Sequence, residues 1–283
     1  MSRELRGAPV AAAVAEGLRR RVDALAEAGR PPVLAVLRVG ERPDDLSYER
    51  GLQKRADALG IGLRRVLPPE GCGQGELEAA IRSVNEDDEV SGCLMFRPLP
   101  AGLDGEAACT LLAPGKDVDG VTPLSLAKVF SGRGRGFAPC TAEAALRLLD
   151  HYGIGLSGRR VTVVGRSLVV GRPLALLLQA RDATVTLCHS RTRDLAAACR
   201  GAEVLVVATG RPRMVGADFV TPGQVVVDVG INWDGEAGRL VGDVDFDAVA
   251  PLVSAITPVP GGIGSITTAV LMEHVVSAAE LRH

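Results

Sequence analysis

The feature that most limits the fold is a repeated alternation of short unbroken apolar runs with segments of helical spacing. Pro31–Gly40 (PPVLAVLRVG) lacks polar alternation and is bounded by Pro and Gly. That pattern predicts a strand buried on both faces, as in a parallel sheet. Residues 8–29 before it, and Leu46–Leu59 after it, carry apolar residues at helical spacing, the second stretch ending at Gly60. Gly62–Pro68 reads as a second strand, GELEAAIRSVNED as a helix and Gly92–Pro100 as the start of a third strand. The order β-α-β-α-β predicts an α/β sheet with helices on its faces. The alternation then restarts. Arg159–Gly165, Ala183–Ser190, Glu203–Gly210 and Gln224–Asn232 read as strands, with GRPLALLLQA and DLAAACRGA as helices and Thr267–Leu281 as an amphipathic helix. This second set predicts a Rossmann-type doubly wound sheet. Between the two sets the chain is irregular, and Ser131–Pro139 (SGRGRGFAP) is a Gly/Arg-rich connection. We expect two domains, 1–138 and 139–283, with the C-terminal helix packing back on the first.

Composition narrows the function classes. Aromatics are 3 % of the chain, so Val, Leu and Ala must fill the cores. The formal net charge of -2 disfavours nucleic-acid binding by bulk electrostatics. No apolar run approaches the roughly 18 residues of a membrane span. Ala8–Ala15 is short and follows Arg3, Glu4 and Arg6, which reads as the start of a helix rather than a signal peptide. A cytoplasmic protein is expected. The six cysteines form no C-x-x-C pair and stand at no zinc-ligand spacing. They are expected reduced and packed as small apolar residues, with no metal site. Cys188 beside His189 ends a strand and is not read as a catalytic pair.

The turn after the first strand of the second half is Gly165-Arg166-Ser167-Leu168-Val169-Val170-Gly171-Arg172-Pro173. It departs from G-x-G-x-x-G at Ser167. It still has a strand before it, a helix after it, and Pro173 near the helix start. A helix N-terminus offers free N–H groups and a positive dipole end to a pyrophosphate. The next strand ends His189-Ser190-Arg191-Thr192, with no acid to accept from a ribose 2′-OH. Ser190 and Arg191, with Arg166 and Ser167, form a donor-rich set suited to a 2′-phosphate. NADP is therefore preferred to NAD.

Further strings lie in order along the chain: Pro114-Gly115-Lys116-Asp117-Val118-Asp119-Gly120, Pro139-Cys140-Thr141, Val227-Asp228-Val229-Gly230-Ile231-Asn232, Gly242-Asp243-Val244 and Thr257-Pro258-Val259-Pro260-Gly261-Gly262-Ile263-Gly264. With the nucleotide turn they resemble the bifunctional methylenetetrahydrofolate dehydrogenase/methenyltetrahydrofolate cyclohydrolase family over nearly the whole chain. The resemblance implies a homodimer whose subunits bind tetrahydrofolate substrates in a cleft between an N-terminal α/β domain and an NAD(P)-binding Rossmann domain. It implies that Asp119 binds the pterin ring, that Tyr48 stacks on the folate, and that Pro260, Gly261 and Gly262 contribute to the substrate site. Gly165, Arg166, Ser167, Val170, Gly171, Pro173, Ser190, Arg191, Ile231 and Thr267 are the matching cofactor positions.

The chain departs from the family at three places. The catalytic helix, Tyr-x-x-x-Lys-x-Lys in the family, reads Tyr48-Glu49-Arg50-Gly51-Leu52-Gln53-Lys54, so Leu52 replaces the catalytic lysine and Lys54 matches the second one. The family's Val-Gln-Leu-Pro-Leu-Pro reads Met95-Phe96-Arg97-Pro98-Leu99-Pro100, so Phe96 replaces the catalytic glutamine. Ser265 stands where a proline is usual. Tyr48 and Asp119 remain as catalytic candidates, and Leu52 and Phe96 as substrate-facing ones. The cyclohydrolase step needs proton transfers that leucine cannot make, and losing a positioned acid or base costs roughly 10²–10⁴-fold. Hydride transfer rests mainly on positioning. The expected activity is NADP-dependent oxidation of 5,10-methylenetetrahydrofolate with cyclohydrolase weak or absent. A paralogue repurposed for a different or folate-like substrate in a specialised pathway and a non-catalytic folate- or nucleotide-binding protein stay open. Asp228 is expected to order its loop, Trp233 to lie at the surface or an interface, and His151, His274 and His283 to be ordinary helix-face residues.

Overall fold

A computed structural model describes residues 2–235 and 238–281, so His283 lies outside the described residues. In chain order the first elements are β1 (Arg3–Glu4), α1 (Gly7–Glu27), β2 (Val33–Leu37), α2 (Pro43–Leu59), β3 (Gly62–Val66), α3 (Gln74–Glu86), β4 (Gly92–Met95), α4 (Gly105–Leu111), α5 (Pro123–Ser131) and α6 (Cys140–His151). They are followed by β5 (Arg160–Val164), α7 (Gly171–Gln179), β6 (Thr184–Cys188), α8 (Leu195–Arg200), β7 (Val204–Val207), β8 (Val225–Asp228), β9 (Asn232–Asp234), β10 (Arg239–Val241), α9 (Phe246–Val249), β11 (Ala255–Ile256) and α10 (Ile263–Glu280). The chain divides into two compact units, one formed by 13–140 with 268–283, the other by 1–12 with 141–267.

In the first unit, β3-β2-β4 form a parallel sheet with β2 at its centre. Leu34 to Leu37 are wholly buried, the expected signature of a strand covered on both faces. The core beneath it is built from Leu37, Val39, Leu77, Ile81, Val84, Met95 and Leu112 among others. The chain leaves β2 for β3 on one side and then crosses to β4 on the other. The order therefore reverses between β2 and β4, and the carboxyl ends of those strands flank the point where α/β sheets usually bind ligands. Helix α2 starts with Pro43 in its first turn, carries Asp44 and Asp45 there, and stops at Gly60 in the left-handed conformation (φ 74°).

The second unit holds six parallel strands in the order β1-β11-β8-β7-β5-β6. Its reversal lies between β5 and β7, so the turn leaving β5 sits at the switch point of a doubly wound sheet. Three features differ from the expectation. The first residues belong to this unit, because β1 pairs with β11 at the sheet edge. A polar two-residue strand carries no periodic signal to find it by. The segment after β8 does not extend to Asn232 but breaks and restarts as the antiparallel hairpin β9–β10. Finally, α10 is not amphipathic: from Ile266 to Ala279 no residue is exposed, so the helix is apolar all round and enclosed.

Glu49 on α2 ties the first unit's helix to its sheet. It is 5 % exposed and accepts from Arg38 Nε at 3.0 Å and from Arg65 Nε at 2.5 Å. Burial pushes its carboxyl up, but the two guanidinium groups outweigh that and hold it below the usual range. Glu49→Ala would leave Arg38, itself 5 % exposed, without its anion. The expected loss is about 3–5 kcal/mol in unfolding free energy by urea titration. A loss under about 1 kcal/mol would show that the pair does not anchor α2.

Candidate functional site

The segment following β4 explains why one carboxylate of Pro114–Gly120 is available and its neighbours are not. Lys116 is 8 % exposed and donates its ammonium to the carbonyls of Val84 and Asp87. Asp117 is wholly buried, bridges in register to Cys93, and accepts from the N–H groups of Val121 at 3.0 Å and Thr122 at 2.8 Å. Gly120 has φ +70°, and a Cβ there would stand 2.4 Å from the Ala138 carbonyl carbon, so only glycine lets the chain pass. These anchors fix the turn and present Asp119, whose side chain keeps 24 % of its exposure.

Around Asp119 the first unit gathers several side chains. Arg97, just past β4, places Nη2 3.8 Å from Asp119 Oδ2. Tyr48 and Phe96 pack with ring centroids 5.6 Å apart at 56°. Leu52 lies one turn beyond Tyr48 on the same face of α2 and is buried, 1 % exposed. Phe96 is 7 % exposed, so Leu52 and Phe96 are both buried apolar residues. Lys54 is exposed and two residues on, about 200° around the helix from Leu52 by the α-helical period, so it does not face the same side. Tyr48 keeps 43 % of its surface exposed, and its hydroxyl bonds to Thr268. Desolvation, then the nearby Asp119 charge, push its pKa up to about 12. It therefore stays a neutral phenol.

Asp119 titrates at about 6, raised mainly by desolvation and against the pull of Arg97. Behind it, His274 Nδ1 stands 2.8 Å from the Val118 carbonyl, its ring stacks on Phe137 at 4.7 Å, and the Cys140 thiol lies 3.2 Å from the same carbonyl. Sequence reading missed this backing. An ordinary helix-face histidine is expected at position 274, whereas His274 is 5 % exposed inside α10, and no motif marks Thr268.

In the second unit, the turn from Arg166 to Val169 is exposed at the end of β5 and leads into α7. Gly165 takes φ +128°, where a Cβ would come within 2.1 Å of the Ala208 oxygen; a Cβ on Gly171 would come within 1.9 Å of the Gly165 oxygen. The two glycines thus let strand, turn and helix pack at backbone distance, leaving a shallow cradle. Val170 donates to Ser167 Oγ at 3.1 Å, which shapes the turn without using the hydroxyl proton. Pro173 is buried in the helix start. Ser190 and Arg191 are exposed at the end of β6, the neighbour of β5. His189 Nδ1 accepts from the Arg191 N–H at 3.1 Å, and the nearest acid in sequence, Asp194, is committed to capping α8 through Ala197 at 3.0 Å.

The remaining candidates are scattered along this unit. Ile231 is 57 % exposed, and a Cβ on Gly264 would stand 3.1 Å from its Cδ1. Pro260 and Gly261 are exposed, Gly262 is buried, and Ser265 donates to the Gly262 carbonyl at 3.0 Å. That bond gives the hydroxyl at the usual proline position a role in closing the turn. Thr267 donates back to Ile263 at 3.3 Å within its own helix. Asp228 accepts from Gly230, Asp243 and Val244 N–H groups at 2.9, 3.1 and 2.9 Å, so it orders its loop as expected. All six cysteines are buried thiols, none in a disulfide. Among the described residues no group of three or more His, Cys, Asp or Glu is placed to hold a metal, and no helix is long and apolar enough to cross a membrane.

Family comparison fits both sites. Residues 5–119 match the tetrahydrofolate dehydrogenase/cyclohydrolase catalytic domain, and residues 139–283 match the NAD(P)-binding domain of the same family. The bifunctional protein FolD of Carboxydothermus hydrogenoformans is 48 % identical over 282 residues, 99 % of this chain and 98 % of that one. The crystal structure of the bifunctional FolD enzyme of Campylobacter jejuni superposes with a TM-score of 0.96 at 37 % identity, covering 100 % of both chains. The Trypanosoma brucei enzyme, solved with NADP cofactor and an inhibitor, superposes at 0.93 with 34 % identity over 100 % of this chain and 99 % of that one.

The raised pKa of Asp119 has a thermodynamic consequence. The native state binds this proton more tightly than the unfolded chain, whose Asp titrates near 3.8. Its contribution to stability is therefore complete below that value and is lost as pH rises through about 6. The difference in unfolding free energy between wild type and Asp119→Asn should change steeply across that window and level off above it. A difference that is flat across the window in urea melts would mean the carboxyl titrates normally.

Proposed function

Since the chain belongs to the tetrahydrofolate dehydrogenase/cyclohydrolase family, we propose that it oxidises 5,10-methylenetetrahydrofolate to 5,10-methenyltetrahydrofolate with NADP and has lost most or all of its cyclohydrolase activity. The observation that carries the second clause is the apolar wall: Leu52, 1 % exposed, and Phe96, 7 % exposed, stand where the family pattern has lysine and glutamine.

The nucleotide turn suits the cofactor, because residues 166–169 lie exposed between β5 and the start of α7 and no acid waits at the end of β6. Gly165 to Gly171 would hold the pyrophosphate, with Pro173 setting the helix start. Arg166, Ser167, Ser190 and Arg191 would hold the 2′-phosphate, while Ile231 and Thr267 are the further candidate positions. When bound, NADP supplies the hydride acceptor.

The protein's own residues position the reductant. Asp119 accepts N–H groups of the pterin, Tyr48 and Phe96 flank it with aromatic surface, and Leu52 closes the side of α2 that Tyr48 shares. Pro260, Gly261 and Gly262 complete the proposed substrate set. Hydride leaves the methylene carbon with its electron pair, and the carbon becomes the cationic methenyl. No residue needs to take a proton in that step, so the loss of a lysine does not remove it. Ring opening is different. Water must add at the methenyl carbon and lose a proton, and neither Leu52 nor Phe96 carries a group that exchanges one. A phenol with pKa about 12 is a poor base at neutral pH, which leaves Tyr48 unsuited to the task.

A homodimer and a cytoplasmic location belong to the same proposal. The first is supported by Trp233, 68 % exposed and cross-strand to Leu240 on the β9–β10 hairpin, the second by six cysteines kept as buried thiols.

With methylenetetrahydrofolate and NADP, purified protein should form NADPH while methenyl product accumulates. Formyl product should appear no faster than spontaneous hydrolysis. Formyl release above that rate overturns the reading of Leu52, and no NADPH or NADH moves the reading to a binding role or another folate-like substrate. The Leu52→Lys, Phe96→Gln double variant should gain cyclohydrolase, by up to roughly 10²–10⁴-fold if the pair is fully restored. For the cofactor, Arg191→Ala should raise the KM for NADP about 10-fold or more and leave that for NAD nearly unchanged. Equal effects on both would place Arg191 away from the 2′-phosphate.

A further inference from the structure

We propose that Arg97 is a specificity-determining residue of the folate site: paired with Asp119, it reads the 4-oxo group of the pterin and rejects rings that carry a donor there. The inference rests on the folate reading above and adds a residue that the family pattern does not supply, since that pattern has leucine at this position.

Geometry carries the argument. Arg97 Nη2 and Asp119 Oδ2 lie 3.8 Å apart, near enough to attract and too far to be hydrogen-bonded to each other. Both side chains retain surface, 31 % for Arg97 and 24 % for Asp119, so neither is closed off. Arg97 also bonds to the Cys109 thiol, which steadies the guanidinium and leaves most of its five N–H donors free. Asp119 is backed by the Cys140 thiol, with His274 behind it on the Val118 carbonyl. The site therefore shows a ligand one acceptor-only group beside one donor-only group.

That order has a chemical complement. Along one edge a pterin presents a 2-amino donor, an N3–H donor and a 4-oxo acceptor. Two adjacent donors suit the carboxylate, and the oxo group suits the guanidinium. A 4-amino ring replaces the oxo acceptor by a donor and removes the N3 hydrogen. It would face Arg97 donor to donor, and a site built to hydrogen-bond one group discriminates strongly against an analogue that leaves it unpaired. Leucine at this position would remove the donor that meets the oxo group and leave only the carboxylate, whose preference between the two rings is weaker.

The test compares two stable ligands that differ only at this edge, folic acid and its 4-amino counterpart aminopterin. Dissociation constants for both are measured by titration calorimetry on wild type, Arg97→Leu and Arg97→Lys, with circular dichroism to confirm folding. Wild type should favour folic acid about 10-fold or more. Arg97→Leu should bring the ratio of the two constants within about threefold of unity, and Arg97→Lys, which keeps the charge without the fork, should fall between. Arg97→Lys also stands in should the leucine variant fail to fold. Folic acid and aminopterin bound with the same ratio by wild type and variants would overturn the role of Arg97 while leaving the folate site standing. Failure of wild type to bind either ligand would remove the folate reading and this proposal with it. A general structural role would weaken both ligands together and leave their ratio unmoved, which also counts against the proposal.

Discussion

Parallel strands covered on both faces leave nowhere for polar chemistry except their ends, and the organisation of this protein follows from that constraint. In β2, β5, β7 and β8 nearly every side chain is buried and aliphatic. Charge cannot be spent along such strands, so it collects where they stop. In each unit the strand order reverses once beside the central strands, between β2 and β4 in one and between β5 and β7 in the other. The pterin candidates follow β4, and the nucleotide turn follows β5. The same rule of sheet topology thus produces two sites of different chemistry, one lined by a carboxylate and aromatic rings, the other by backbone donors and arginines.

Most ionic groups near the first site are already committed. Glu49 balances Arg38 and Arg65, Lys116 serves two carbonyls, and Asp117 holds two backbone N–H groups. Asp119 and Arg97 differ from these: their separation is 3.8 Å and both reach the surface. Incomplete mutual satisfaction is costly in a buried pair and useful in a site, because a ligand can complete what the protein leaves open. The committed groups still matter to function. They fix α2 and the Lys116–Gly120 turn, so that the open pair is presented at a defined place rather than on a mobile loop.

The fold was largely legible because its signal is redundant. Apolar runs such as Leu34–Leu37 and Val204–Val207 can hardly be anything but buried strands, and the Gly165–Gly171 turn could be placed from its flanks even without the second glycine of the usual pattern. Strand β1 was illegible, since Arg3 and Glu4 pair only because β11 offers an edge. The hairpin around Trp233 was hidden for a similar reason, being held by partners and not by its own pattern. Helix α10 was misread because its polar residues, His274 among them, suggested a wet face. That histidine is instead satisfied by the Val118 carbonyl, a contact 156 residues away in sequence that no local rule foresees. Motif matching located Tyr48, Leu52, Phe96 and Asp119, but not Thr268 or the Cys140 and His274 backing, whose roles come from packing alone.

The substitutions at positions 52, 96 and 97 make physical sense as one change. On the proposed reaction, a leucine rather than a lysine beside a methenyl cation avoids a like-charge encounter, and the buried Leu52 and Phe96 offer no group that exchanges a proton with water. On that proposal both residues favour a product that survives over one that is hydrolysed in place. Yet a folate site with no fixed donor would grip the pterin only through the carboxylate and the rings. On the same proposal the Arg97 guanidinium, 3.8 Å from Asp119, supplies such a donor beside the carboxylate. On that proposal charge serves recognition rather than proton transfer, and a single site sheds one of two successive steps without giving up its substrate.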